Sequence, residues 1–204
     1  MKIENFLAGD DEKINSLLCF TAEVDKMTSI QRRTLLIDKS RHENDAEHSW
    51  HIALMAVIFK DYAPKGCNIA RSVQMCIIHD LVEIYAGDTF AFDINANIDK
   101  SEREEKAADK LFAQLPSNIA KEIRTLWEEF DAMETPDAKY AAAMDRLQPY
   151  LHNTLTDGHT WKEGKPTTKM VDDRMKIVTD TIPQLKDWYD KNIKRAIKNG
   201  WLEK

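Results

Sequence analysis

The chain has 204 residues, of which 43% are hydrophobic and 31% charged, a composition typical of a globular protein. Its net charge of −6 argues against wrapping a nucleic-acid polymer, and its longest apolar run, Ile52 to Phe59, is too short to span a bilayer. Only six glycines and six prolines leave few turns, which favours long helices over a β-sandwich or β-barrel.

Apolar residues recur at helical spacing in seven stretches of the chain. In chain order, helices are predicted at about 11–26, 45–62, 68–85, 101–115, 119–130, 135–151 and 168–198. Ser101 and Glu104 form the pattern of a capping box at the start of the fourth helix. Thr135 precedes Pro136 as the cap of the sixth, and Pro183 interrupts the last. No segment alternates as a strand would, so we expect an all-α protein with a single domain over 1–204.

Three polar residues fall on or beside the apolar stripes of these helices. Asp80 shares a stripe with Ile84, and His48 shares one with Ile52. Asp145 lies at least at the edge of the buried face of the sixth helix. Because a lone buried carboxylate is costly unless it is paired or bound to a metal, these positions are candidates for a functional site.

Taken singly, these residues have ordinary explanations. His48 could be a core histidine whose hydrogen bonds are satisfied, and Asp145 could pair with Arg146 or Arg124. Taken together they suggest a site, because His79 precedes Asp80 and the two side chains lie about 100° apart around a helix. A cation beside that helix would be within reach of both, and the other two residues could complete its shell from neighbouring helices.

Two imidazoles and two carboxylates suit one divalent ion. Such an ion lowers the pKa of bound water toward about 7 and so provides hydroxide at neutral pH. The donor types leave its identity open among Mn, Co, Fe, Ni, Zn and Mg.

The same residues carry a resemblance to a known family. Three segments resemble the H…HD…D signature of the HD-domain phosphohydrolase superfamily: Glu47–Ser49, Ile78–Asp88 and Ala143–Leu147. Glu83 and the Gly87-Asp88 pair look like the branch that contains the bacterial 5′-deoxynucleotidases. The resemblance covers about 28–163, and the predicted C-terminal helices at about 168–198 lie beyond it. It implies a helical HD domain with the metal site between core helices.

The resemblance also implies roles for individual residues. The metal ligands would be His48, His79, Asp80 and Asp145. Glu83 would be the catalytic acid that moves a proton, either from water or to the departing sugar oxygen. Asp88 is expected to contact the sugar or bound water, and Arg32 to grip the substrate phosphate, for which a planar guanidinium is well shaped.

Two positions depart from the pattern of that branch. Arg33 stands where those deoxynucleotidases carry a tryptophan that disfavours a ribose 2′-hydroxyl, and the segment Thr89–Asp93 lacks the expected proline. The expected substrate-binding set is Arg32, Arg33, Asp88 and Thr89. The preference for deoxyribose therefore stays open, and the sequence assigns no chemistry to His152.

The sequence thus predicts a metal-dependent phosphohydrolase, most simply a 5′-nucleotidase acting on (deoxy)nucleoside 5′-monophosphates. Three alternatives remain: a nucleotide pyrophosphate or triphosphate hydrolase using Arg33 and Arg41, a non-catalytic metal-stabilised HD scaffold, and an iron oxygenase. The expected partner is a small phosphorylated substrate, with no nucleic-acid polymer and no membrane, and a homodimer is compatible with the sequence. Three cysteines without a C-x-x-C pair favour free thiols and a cytoplasmic location.

Overall fold

The computed structural model describes residues 9–203, and helices make up most of that range. Residues 1–8 and Lys204, which the predicted 1–204 domain includes, lie outside the described residues. The all-α fold class is confirmed, since the sheet in the described range consists of two short strands. No helix within 9–203 combines the length and the apolar character needed to cross a bilayer.

The described chain folds into ten α-helices and one hairpin. The helices are α1 Glu12–Val24, α2 Asp45–Ile58, α3 Ile69–Ile78, α4 Glu83–Ala86, α5 Lys100–Phe112, α6 Ser117–Ala132, α7 Pro136–Leu155, α8 His159–Gly164, α9 Thr168–Thr181 and α10 Lys186–Lys198. The strands are β1 Gln31–Leu35 and β2 His42–Asn44. Short 3₁₀ turns cover Asp25–Ser29, Lys60–Tyr62 and Pro183–Leu185, the last at the predicted proline interruption.

Side-chain caps explain where two of the central helices begin. Thr135 Oγ1 accepts a hydrogen bond from the Ala138 amide at 3.1 Å, as expected for the cap of α7. A capping box that the sequence analysis overlooked opens α2 at Asn44 and Glu47. The box predicted at Ser101 is wrong, because α5 already begins at Lys100 and no side chain caps it.

The continuous helix predicted over 68–85 is also wrong. α3 ends at Ile78, and the chain then makes tight turns in which the Glu83 amide donates to the Asp80 carbonyl at 2.9 Å. α4 follows and ends at Gly87, whose φ of +78° favours glycine. In turns of three residues the side chains at i and i+3 lie above one another, so this segment puts Glu83 on the same face as Asp80.

The hairpin was missing from the predicted elements for a structural reason. Gln31 pairs with Asn44 and Leu35 with His42, so β1 contains two more residues than β2 between the same pairs. This irregularity breaks the alternation of exposed and buried residues that would have indicated a strand. It also leaves the Arg32 side chain only 12% exposed.

α7 is the central helix and packs against α2, α3, α6 and α9. Four of its residues are small and buried: Ala138, Ala141, Ala142 and Ala143. Small side chains let neighbouring helices approach closely. Tyr140 adds a hydrogen bond from its hydroxyl to the Ala56 carbonyl of α2 at 2.9 Å. The polar residues of α7 are therefore held at fixed positions relative to α2 and α3.

α7 contains a proline in its interior, Pro149. Proline has no amide hydrogen, so the main-chain carbonyl of Asp145, four residues earlier, lacks its helical donor. The carbonyl of Pro149 itself accepts a further hydrogen bond from the side-chain amide of Asn153 at 3.0 Å.

We expect Gly158→Ala to destabilise the protein. Gly158 has a φ of +66°, and a Cβ there would lie 2.5 Å from Trp201 Cβ. The alanine variant should lose about 1–2 kcal/mol of stability to left-handed backbone strain and about 1–3 kcal/mol more to overpacking against Trp201. The measurement is the free energy of unfolding in urea.

Gly66→Ala is the matched control. Gly66 has a φ of +86°, but a Cβ there would meet nothing within 4 Å. It should therefore show the backbone strain alone, about 1–2 kcal/mol. Equal losses in the two variants would contradict the predicted clash with Trp201.

Candidate metal centre

The four predicted ligand residues meet between α2, the end of α3 and α7. His48 Nε2 lies 3.1 Å from Asp145 Oδ1, and His79 Nε2 lies 3.1 Å from Asp80 Oδ2 and 3.5 Å from Asp145 Oδ1. Both imidazoles are buried. We call this group of His48, His79, Asp80 and Asp145 the metal centre.

The protons of both imidazoles are assigned by hydrogen bonds on the far side of each ring. His79 Nδ1 is 3.0 Å from the Cys76 carbonyl, which can only accept, so Nδ1 carries the hydrogen. His48 Nδ1 is 3.0 Å from Gln148 Oε1 and donates in the same way. Each Nε2 therefore faces the centre, and in the neutral ring it carries the lone pair.

A chain of buried polar groups determines the orientation of the Gln148 amide. Its Nε2 donates to Glu43 Oε2 at 2.7 Å and to His152 Nε2 at 3.1 Å. His152 Nδ1 in turn donates to the Leu35 carbonyl of β1 at 2.9 Å. With the amide nitrogen so engaged, the amide oxygen must face His48.

The centre fits a divalent cation. The buried His79 Nε2 makes no hydrogen bond, although two carboxylates lie within 3.5 Å of it. Lone pairs on two imidazoles and two carboxylates form a donor set suited to a transition ion.

The charges of the centre affect its two imidazoles in opposite directions. Burial, assisted by the Arg32 charge, lowers the pKa of His48 to about 4. Burial also opposes charge on His79, but the Asp80 and Asp145 carboxylates outweigh it and raise the pKa of His79 to about 10. The carboxylates thus favour positive charge between α3 and α7.

Arg32 reaches the centre from β1. Its Nη1 lies 2.8 Å from Asp80 Oδ2, 3.3 Å from Asp45 Oδ1 and 3.8 Å from Asp88 Oδ1. Its Nε lies 3.4 Å from Glu43 Oε1. Burial opposes the charge, yet the surrounding carboxylates raise the pKa of Arg32 above its ordinary value.

Glu83 lies beside Asp80, next to a carboxyl that the sequence analysis overlooked. Oxygen atoms of Asp45, Asp80 and Glu83 lie within 4.8 Å of one another. Glu83 Oε2 and Asp45 Oδ2 are buried and form no hydrogen bond. Burial, followed by the charge of Asp80, raises the pKa of Glu83 well above its ordinary value and that of Asp45 to about 7.

A cleft of about 230 Å³ opens beside the metal centre and includes the other predicted residues. Asp88 and Thr89 lie on its wall, and Thr89 Oγ1 accepts a hydrogen bond from Arg103 at 3.1 Å. Arg33 also lines the cleft, with its guanidinium 4.5 Å from the centre of the Phe90 ring. Arg41 instead pairs with Glu47 and is not among the residues that line the cleft.

Comparison with known proteins identifies the family. The HD domain family matches residues 24–186, which include every residue of the metal centre. The chain belongs to the HD-domain family.

Related HD-domain proteins include enzymes named 5′-deoxynucleotidases. The human 5′-deoxynucleotidase HDDC2 is 28% identical over 151 residues, 74% of this chain and 72% of the human protein. The fission-yeast 5′-deoxynucleotidase hdd1 is 26% identical over 110 residues, 52% of this chain and 54% of the yeast protein.

Solved structures of similar fold are described as phosphohydrolases. A predicted metal-dependent phosphohydrolase from Magnetospirillum magnetotacticum MS-1 is 43% identical, with a TM-score of 0.89 over 98% of this chain and all of that one. An HD-domain phosphohydrolase from Listeria innocua shares the fold, with a TM-score of 0.57, 17% identity and coverage of 89% of this chain and 85% of that one.

The structure also shows which residues of this HD domain the sequence analysis missed. Gln148 and His152 follow Asp145 at helical spacing on α7, and that spacing could have indicated them. Arg174 on α9, rather than Arg146 or Arg124, is the arginine that pairs with Asp145, at 3.7 Å from Oδ2. No spacing within one helix could have indicated that contact.

We expect Glu43→Gln to reduce the loss of stability on raising the pH. Burial raises the pKa of Glu43 from 4.5 to about 7, so the folded protein binds this proton more tightly than the unfolded chain. The protonated Glu43 carboxyl therefore stabilises the folded protein fully at pH values below the pKa that this carboxyl has in the unfolded chain. That contribution is lost as pH rises through about 7, the pKa in the folded protein. Free energies of unfolding, measured with a chelator at about pH 5 and about pH 8, give the difference.

Glu122→Gln on the exposed part of α6 is the control for this substitution. It should keep the wild-type difference between the two pH values, while Glu43→Gln should show a smaller one. The same pH difference in all three proteins would show that the buried Glu43 carboxyl does not hold its proton more tightly in the folded state.

Proposed function

We propose that this HD-domain protein is a divalent-metal-dependent 5′-nucleotidase that releases phosphate from nucleoside 5′-monophosphates, deoxy forms included. The observation that carries the proposal is the convergence of two imidazole lone pairs and two carboxylates beside a cleft that also contains Glu83 and Arg32. The relatives named 5′-deoxynucleotidases support the reaction class.

In this proposal His48, His79, Asp80 and Asp145 hold one divalent ion. When bound, the ion supplies Lewis acidity to the phosphoryl group and lowers the pKa of water. The chain's own contribution is to aim the two Nε2 atoms at the ion, since Cys76 and Gln148 bind the opposite ring nitrogens. The Nε2 proton that the carboxylates favour on His79 would leave when the ion binds.

Glu83 moves the proton. Its Oε2 has no partner among the described residues and lies beside Asp80 on the cleft. From there it can take a proton from the attacking water or give one to the departing 5′ oxygen of the sugar.

Arg32, Asp88, Thr89 and Arg33 contact the substrate in this proposal. Arg32 Nη1 is engaged by Asp80, which leaves Nη2 for a phosphoryl oxygen. Asp88 and Thr89 lie on the wall where the sugar would pass. Arg33 is held against Phe90 and borders the same wall, so it would meet the ribose or deoxyribose. Free thiols at Cys19, Cys67 and Cys76 are compatible with a cytoplasmic location.

The direct experiment is phosphate release from a panel of nucleotides by metal-stripped protein resupplied with Mn, Co, Mg, Ni or Zn. The panel pairs each deoxynucleoside 5′-monophosphate with its ribose form and adds the matching 3′-monophosphates, diphosphates and triphosphates. We expect release from 5′-monophosphates only when metal is present. His79→Ala, which removes one Nε2 lone pair, should be inactive.

The panel separates the proposed activity from its alternatives. Release from diphosphates or triphosphates in preference to monophosphates would assign the cleft to a pyrophosphohydrolase. No release with any metal, from protein that still binds the ion, would contradict the nucleotidase.

We expect Glu83→Gln to retain the metal and to lower kcat by about 10²-fold or more, the usual contribution of a positioned acid or base. Steady-state kinetics and metal content by elemental analysis are the measurements. Glu104→Gln is the matched control, because Glu104 also lines the cleft but pairs with Lys100 at 3.3 Å. If Glu83→Gln turned over at the same rate as Glu104→Gln, Glu83 would have no role in moving the proton.

A further inference from the structure

Two arginines of the cleft have almost no counter-charge. Arg146 follows Asp145 on α7, and Arg174 lies on α9, which packs against α7. Both side chains line the cleft beside the metal centre. Neither was among the residues expected to bind substrate.

The contacts of Arg146 leave its charge unpaired. Its Nη2 points to the Met133 sulfur at 3.0 Å, a weak acceptor, and its buried Nε has no hydrogen-bond partner. Among residues 9–203, no carboxylate lies within ion-pair distance of it. The Arg174 guanidinium is near enough for its charge to act on Arg146.

Arg174 has only slightly more counter-charge than Arg146. Its Nη2 lies 3.7 Å from Asp145 Oδ2, and the other oxygen of that carboxylate already faces His48 and His79. One carboxylate thus faces two imidazoles and a guanidinium. Two neighbouring guanidinium groups that share one carboxylate form a local excess of positive charge.

Arg32, which lines the same cleft together with Arg33, is in the opposite situation. Four carboxylates lie within 4.0 Å of its guanidinium, those of Glu43, Asp45, Asp80 and Asp88. The cleft is therefore divided electrostatically. Near Arg32 these carboxyls compensate the guanidinium charge, whereas the side near Arg146 and Arg174 keeps positive charge that can attract a phosphate dianion.

We propose that Arg146 and Arg174 together bind the phosphate group of the substrate, and the inorganic phosphate product, at a subsite next to Asp145. This inference rests on the proposed function for the identity of the phosphate ester. A phosphate there receives charge-assisted hydrogen bonds from two guanidiniums and supplies the negative charge that Arg146 lacks. Arg32 then mainly orients Asp80 and contributes one nitrogen to the far side of the phosphate.

The test is the dissociation constant of inorganic phosphate, measured by calorimetry on the metal-loaded protein. We expect Arg146→Gln and Arg174→Gln each to weaken phosphate binding about tenfold or more, as the loss of a charge-assisted hydrogen bond does. Arg174→Lys should recover part of the affinity. Arg195→Gln, on the exposed face of α10 outside the cleft, is the control and should bind as the wild type does.

Metal content and the unfolding midpoint of every variant distinguish phosphate binding from a structural role. Phosphate affinity in both glutamine variants equal to that of Arg195→Gln would overturn the inference. Weaker phosphate binding accompanied by loss of the ion in both variants would also overturn it. The two arginines would then act by positioning Asp145 for the ion and not by binding phosphate.

The proposed function and this inference can fail separately. Phosphate binding that depends on the two arginines, in a protein that hydrolyses no nucleotide, would support the subsite and reject the nucleotidase. If the protein hydrolyses nucleotides but its phosphate affinity is unchanged by substitution of either arginine, the nucleotidase is supported and the subsite is rejected.

Discussion

The tautomers of His48 and His79 are the constraint on which the site depends. Each ring donates its Nδ1 hydrogen to an acceptor behind it, so each Nε2 faces the carboxylates. Carboxylates this close to buried ring nitrogens require a positive charge between them, which a proton on His79 supplies here and a metal ion would supply in the proposed function. The buried chain from Leu35 through His152 and Gln148 to His48 maintains this arrangement across β1, α7 and α2.

Two departures from regular secondary structure lie beside this centre. Arg32 belongs to the irregularly paired strand β1, and its Nη1 reaches Asp80. Glu83 follows Asp80 by three residues in the tight turns after α3 and lies beside it. Both local irregularities therefore adjoin the site.

The sequence predicts the helical fold and the four residues that meet at the centre, because the helices and the polar residues on them leave local patterns. Helical periodicity locates the long helices, and the costly polar residues on their apolar stripes locate His48, Asp80 and Asp145. The break after Ile78 has no proline or glycine beside it that would have indicated it.

Local sequence patterns cannot predict contacts between distant parts of the chain. Arg174 meets Asp145 across two helices, and Glu43 meets Gln148 across 105 residues. From the sequence, Asp45 is an acid in the first turn of a helix, where acidic residues are common and usually exposed. Only the packing of β1 and α4 against that helix start makes it a buried neighbour of Glu83.

Pro149 gives α7 a mechanical property that an uninterrupted helix would lack. The missing hydrogen bond to the Asp145 carbonyl makes this level of the helix the place where bending costs least. Asp145 lies at this level of the helix, one turn after the buried alanines Ala141, Ala142 and Ala143. Any bending of α7 would therefore act first on the position of Asp145 relative to the imidazoles of α2 and α3.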